Sequence, residues 1–225
     1  MKFLIWIGFI HIYMDNRILD RYVEHNSSAL PNVLNWLERE TNLRTNHSRM
    51  LSGKYMAHLL ITLSKIITPM RILEIGTFTG YSAICLAQGL KEGGHLDTLE
   101  INDELKELIV EAFDRANLSK QITLHLGDAF ISIERLKDNQ YDMVYIDANK
   151  RDYCAYYDAV FPMVRPGGLI LADNVLWDGK VLQDPLPLDA QTQQIDCFNR
   201  KIKEDHRVEN FILPLRDGLN IIRKK

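Results

Sequence analysis

The chain has 225 residues, 46% hydrophobic and 25% charged, which is enough apolar mass for one well-buried core and too little length for two large ones. Its formal net charge is −3 and its basic residues are scattered, so it offers no broad attraction to nucleic acid and DNA is not an expected partner. The three cysteines, Cys85, Cys154 and Cys197, are far apart in sequence, form no C-x-x-C and have no histidine spaced to complete a zinc site; reduced thiols in a cytoplasmic protein fit this pattern.

Residues 1–13 (MKFLIWIGFIHIY) are one lysine followed by an apolar run. The run is too short to cross a bilayer, and the MDNR that follows contains no small-residue cleavage site. It is read as an apolar extension outside the functional fold, with no membrane partner, and residues 14–225 as a single domain. Over 16–39 apolar positions recur at helical spacing (Ile18, Leu19, Tyr22, then Val33, Leu34, Leu37) and are interrupted by Ser27, Ser28 and Pro31, predicting two helices. A further helix over 48–65 presents Leu59, Leu60 and Leu63 on one face.

From there strands and helices alternate. Strands are predicted at 71–75, 95–100, 121–126, 141–146 and 168–173, with helices at 80–90, 103–116, 129–136 and 152–164 between them. That alternation specifies an α/β fold, a Rossmann-like doubly wound sheet with helices on both faces. After a polar insertion at 178–189, a helix over 190–205 leads to strand-like runs at 208–215 and 219–223. Arg216-Asp217-Gly218 reads as a hairpin turn, so the seven-stranded sheet is expected to be mostly parallel with an antiparallel last strand.

The chemistry concentrates at RILEIGTFTGYSAICLA, residues 71–87, a strand, a turn bounded by Gly76 and Gly80, and a helix start. Neither a phosphate loop nor a dinucleotide fingerprint is present. Glu74, two residues before the first glycine, would repel phosphate but suits an ammonium or sulfonium; S-adenosylmethionine carries both. An ordinary strand-turn-helix is the competing reading of the same glycines.

In such sheets ligands sit beyond the carboxyl ends of the strands. Glu100 ends the second strand where an acid can hold a ribose diol; Gly127-Asp128-Ala129 follows the third. Asp147 follows the fourth strand and Asp173-Asn174 the fifth, an oxygen-only set suited to Mg²⁺, Mn²⁺ or Ca²⁺. Polar residues also end strands for ordinary turn reasons, which is the bland alternative at each tip.

Three blocks, LEIGTFTGYSA, YIDANKRDYCAYY and RPGGLILADNVLWDGKV, occur in the order of the cation-dependent class I O-methyltransferases, and from about residue 50 onward the chain resembles that family of caffeoyl-coenzyme A and catechol enzymes. The resemblance implies that Ser52, Glu74, Gly76, Thr77, Ser82 and Asp147 surround the methionine part of S-adenosylmethionine, that Glu100 holds the ribose, and that Asp128 and Ala129 lie by the adenine. It implies a divalent cation on Asp147, Asp173 and Asn174, and Lys150 as general base. A homodimer is implied as well. Asn149 departs from the family's usual Asp, and Ala57-His58 from its usual Gly-Gln.

Read this way, the enzyme methylates one hydroxyl of a metal-chelated vicinal diol on a small phenolic acceptor. Positioning and deprotonating that hydroxyl is most of the task. A tRNA hydroxyl would use the same metal, and a non-catalytic cofactor-binding dimer is the remaining alternative. Without the resemblance Lys150 would pass for a solvated loop lysine, and Trp177 is open to two readings, a wall over an aromatic acceptor or plain packing.

Overall fold

Strands joined by right-handed crossover helices must lie parallel and be covered on both faces, so their sequences read as nearly continuous apolar runs. The computed structural model, which describes residues 16–225, shows this arrangement. The chain divides into two units, residues 1–31 and 32–225. Within the first, helix α1 (Asn16–His25) exposes Ile18 and Tyr22. The apolar extension at 1–13 lies outside the described residues.

The second unit begins with α2 (Asn32–Arg44) and α3 (Gly53–Ile67), then runs β1 (Arg71–Ile75), α4 (Tyr81–Ala87), β2 (His95–Glu100), α5 (Lys106–Arg115), β3 (Ile122–Leu126), α6 (Ala129–Leu136) and β4 (Tyr141–Ile146). It continues with α7 (Tyr153–Val160), β5 (Val164–Asp173), α8 (Ala190–Glu204), β6 (Val208–Leu213) and β7 (Leu219–Lys224). The seven strands lie in the order β3-β2-β1-β4-β5-β7-β6. All run parallel except β7, which pairs antiparallel with both β5 and β6, as the turn at 216–218 predicted.

The strand order reverses between β1 and β4, and this switch point is where the crevice of a doubly wound sheet opens. Both strands are buried at every residue but Arg71 and Asp142, whereas the edge strands β3 and β6 are only partly covered. Below the carboxyl ends of β4 and β5, Tyr141, Tyr145, Tyr153, Tyr157 and Phe198 are fully buried. Tyr153 meets Phe198 edge-on at 5.5 Å between centroids. Each ring stabilises the unit by roughly 2 kcal/mol or more through burial, so the strand ends rest on a stiff aromatic floor.

Two elements differ from expectation. The helix predicted over 152–164 is a 3₁₀ turn (Lys150–Asp152), α7, and a second 3₁₀ turn (Phe161–Met163). Strand β5 starts at Val164 rather than 168, because Pro166-Gly167-Gly168 does not end it. Tyr141 pairs with Val164, the register then shifts, and Met143 pairs with Leu169, so the proline and glycines occupy an irregularity within one strand.

Candidate active site

The turn after β1 is held in an unusual backbone shape: Gly76, Phe78 and Gly80 all have positive φ, at 100°, 49° and 91°. On the side a Cβ would occupy, Gly76 and Gly80 are packed by the protein itself. A Cβ on Gly76 would lie 2.1 Å from the carbonyl oxygen of Asp147, and one on Gly80 would lie 2.8 Å from the Phe113 ring. The Asp147 N–H donates to the Ile75 carbonyl at 2.9 Å, so the ends of β1 and β4 are closed on each other at the switch point.

Glu74 is fully buried on β1. Its Oε2 accepts from the Thr98 hydroxyl, which stands opposite in register on β2, and Thr98 in turn meets the Thr77 hydroxyl. Its Oε1 has no hydrogen-bond partner. Burial pushes the carboxyl up to about 8, against the lowering effect of the Ser82 and Thr98 hydroxyls. Ser82, at the start of α4, is close enough to act on the charge but completes no hydrogen bond to Oε1. The orphaned oxygen is an unfilled acceptor in a buried position, which fits a cationic group better than an anionic one.

Glu100, at the end of β2, accepts from the Phe78 N–H at 2.7 Å and the Asn102 N–H at 2.9 Å. It therefore ties the Gly76–Gly80 turn to β2 whatever else it binds. Asp128 caps α6, accepting from the N–H groups of Phe130 and Ile131, and Ala129 packs against the aromatic core. Ser52 stands buried just before α3. Arg216 donates to the Leu51 carbonyl at 3.2 Å and its guanidinium lies over Gly53, so the hairpin turn of β6 and β7 supports the Ser52 segment.

Across the switch point, the Lys150 ammonium is buried and donates to Asp147 Oδ1 and to the Tyr153 hydroxyl, both at 2.7 Å. It is not a solvated loop lysine. The Tyr153 hydroxyl reaches the carbonyl of Asp173 at 2.8 Å, and Tyr145 donates to Asp173 Oδ2 at 2.7 Å. Asp173 Oδ1 accepts from the Asn174 N–H, and Asn174 has φ 59°. Burial, followed by the charge on Asp147, pushes the Asp173 carboxyl up to about 6. Asn149 turns away to Asp152 and caps the 3₁₀ turn, so its departure from Asp alters the turn rather than the carboxylate pair.

The family model for O-methyltransferases matches residues 24–225. The chain belongs to the O-methyltransferase family. It is 36% identical over 172 residues to catechol O-methyltransferase domain-containing protein 1 of Mus musculus, covering 75% of this chain and 65% of the mouse protein. It is 30% identical over 195 residues to caffeoyl-CoA O-methyltransferase 1 of Eucalyptus globulus, covering 83% of this chain and 79% of the other. Its fold matches that of the O-methyltransferase from Bacillus cereus in complex with SAH at a TM-score of 0.84 and 29% identity, over 92% of this chain and 97% of that one.

Among the described residues of this O-methyltransferase, no group of three or more His, Cys, Asp or Glu side chains is arranged to hold a metal ion, and no helix is long and apolar enough to cross a membrane. The predicted set is smaller, two carboxylates and one amide. Its chemistry still fits a hard divalent cation: all donors are oxygen, and Asp147 and Asp173 stand on adjacent strand ends close enough for one charge to disfavour the other. Lys150 is a direct positive partner of Asp147.

Sequence reasoning did not assign Thr98, Tyr145 or Tyr153 to the site, and it read 216–218 as a turn without placing that turn beside the site. The three residues each had a signal. Thr98 and Tyr145 lie two residues before Glu100 and Asp147, hence on the same strand face, and Tyr153 follows Lys150 by three. Asp217 accepts from the Asp178 N–H, which brings the hairpin to the loop after β5. Trp177 is half-buried and packs against the core, with its Nε1 buried and unpaired.

Proposed function

We propose that this O-methyltransferase transfers the methyl group of S-adenosylmethionine to one hydroxyl of a catechol-like small molecule, aided by a divalent cation at Asp147, Asp173 and Asn174. One observation carries the reading. A buried lysine, Lys150, sits 2.7 Å from one of two carboxylates on adjacent strand ends, and the other accepts from the Tyr145 hydroxyl and a backbone N–H.

The donor is S-adenosylmethionine: the Bacillus cereus relative holds SAH, the remainder of that donor after methyl transfer, and the residues here suit it. Glu74 offers an unpaired buried oxygen to a sulfonium or ammonium, and a cation beside it favours the ionised carboxylate over the protonated form that burial favours. Glu100 keeps lone pairs beyond its two backbone donors for a ribose diol. Proton transfer falls to Lys150, which as the neutral amine, its own proton already released to solvent, takes the acceptor proton at Nζ while Tyr153 and Asp147 hold that nitrogen. Bound at the carboxylates, Mg²⁺ or a similar cation would favour the ionised acceptor hydroxyl as a Lewis acid.

A panel of catechols and matched monophenols, with labelled S-adenosylmethionine and either Mg²⁺ or a chelator, tests this function. Methyl incorporation into catechols that is lost with chelator is the expected result; equal rates with and without chelator would overturn it. Glu100→Ala is expected to weaken S-adenosylmethionine binding by about 1–3 kcal/mol, the loss that follows removal of a charged hydrogen-bond acceptor. Calorimetry measures this directly. Unchanged affinity would mean that Glu100 serves only the turn.

A further inference from the structure

Cys154 and Cys197 are 43 residues apart in sequence, yet their sulfurs are 3.9 Å apart where α7 packs on α8. All three cysteines are free thiols, but the distance between these two in sequence is not kept in space. The two helices are also clamped one turn further on, where Lys201 on α8 pairs with Asp158 on α7 at 2.6 Å. Each of these residues is four positions beyond a cysteine, so the ion pair fixes the helix faces that bring the thiols together. Cys197 is exposed and Cys154 half-buried against the core.

We propose that Cys154 and Cys197 form a reversible dithiol–disulfide site that cross-links α7 to α8, with a low-molecular-weight disulfide such as oxidised glutathione as the oxidant. The exposed Cys197 thiolate attacks one glutathione sulfur, forming a mixed disulfide and releasing the other glutathione as a thiolate. Cys154 then loses its proton and attacks the Cys197 sulfur, which expels the second glutathione. Two protein thiols are oxidised and one glutathione disulfide is reduced to two thiols. Burial and the neighbouring sulfur push the Cys154 thiol up to about 11, which makes Cys197 the residue that reacts first. Closing from 3.9 Å to the roughly 2.05 Å of a disulfide calls for rotation of the two side chains and a small helix adjustment.

The cross-link lies next to the site, since Tyr153, which accepts from Lys150, immediately precedes Cys154. Cys85 is an internal control: it is fully buried, and burial holds its thiol far above the usual range. Incubating the intact protein with oxidised glutathione, followed by protease digestion and mass spectrometry without reductant, tests the proposal. The expected product is a Cys154–Cys197 cross-linked peptide lacking two hydrogens, reversed by dithiothreitol. A rise in melting temperature of about 5 °C or more should accompany it and be missing in Cys197→Ser, while Cys154→Ser should stop at a glutathione adduct on Cys197. A stable adduct on wild-type Cys197, a disulfide-linked dimer, or unmodified thiols would each overturn it. The wild-type peptide decides the matter even if a variant fails to fold.

Discussion

Gly76→Ala is expected to destabilise the protein by about 3 kcal/mol or more, and Gly93→Ala by about 1 kcal/mol. Both glycines have positive φ, 100° and 74°, so each substitution carries a conformational penalty. Only at Gly76 is there also no space, since the added carbon would lie 2.1 Å from the Asp147 carbonyl oxygen, whereas nothing lies within 4 Å at Gly93. Neither partner at Gly76 can turn aside, because both are backbone held immediately beyond the ends of the central strands β1 and β4. The ends of β1 and β4 would have to separate, breaking the Asp147 N–H bond to Ile75. Thermal melts of both variants check the difference. If Gly76→Ala melted like Gly93→Ala, the closure of β1 on β4 would not be a structural requirement.

That contact also shows where sequence reasoning stops. The order of elements, the parallel sheet and the polar strand tips were legible because each rests on local periodicity and local turn chemistry. Gly76 against Asp147 depends on β1 lying beside β4, a pairing across the switch point that no window of sequence contains. The Cys154–Cys197 contact is hidden for the same reason. The start of β5 was misplaced for a different one: Pro166-Gly167-Gly168 is a strong local break signal, and pairing of Val164 with Tyr141 overrides it. Lys150 was visible by its spacing from Asp147, but its burial and its bond to Tyr153 were not. Glu74 was chosen for its charge, and the structure adds that burial favours its protonated form until a cation arrives.

Asp173→Asn is expected to lower methyl transfer to a catechol by about a hundredfold or more while leaving S-adenosylmethionine affinity nearly unchanged. Losing a residue that merely supports a metal ligand typically costs 10- to 100-fold, and Asp173 is proposed as a ligand itself. Asn is preferable to Ala here because Tyr145 is fully buried and donates to Asp173; Ala would strand that hydroxyl at about 1–3 kcal/mol and blur a functional loss with a structural one. The amide keeps an oxygen for the Tyr145 hydroxyl and removes the charge, together with the second acceptor that the Asn174 N–H uses. Burial and the Asp147 carboxylate both oppose that charge in the cation-free protein, which offsets the lost acceptor, so the variant should melt close to the parent. Cofactor affinity should persist because Glu74 and Glu100 come from β1 and β2, whereas Asp173 comes from β5, on the far side of β4. Adding excess Mg²⁺ or Mn²⁺ should restore chelated wild-type protein and fail to restore Asp173→Asn. Should the variant methylate catechols at the parental rate, Asp173 has no part in catalysis, and a metal-independent methyl transfer with Lys150 as base becomes the better account of this site.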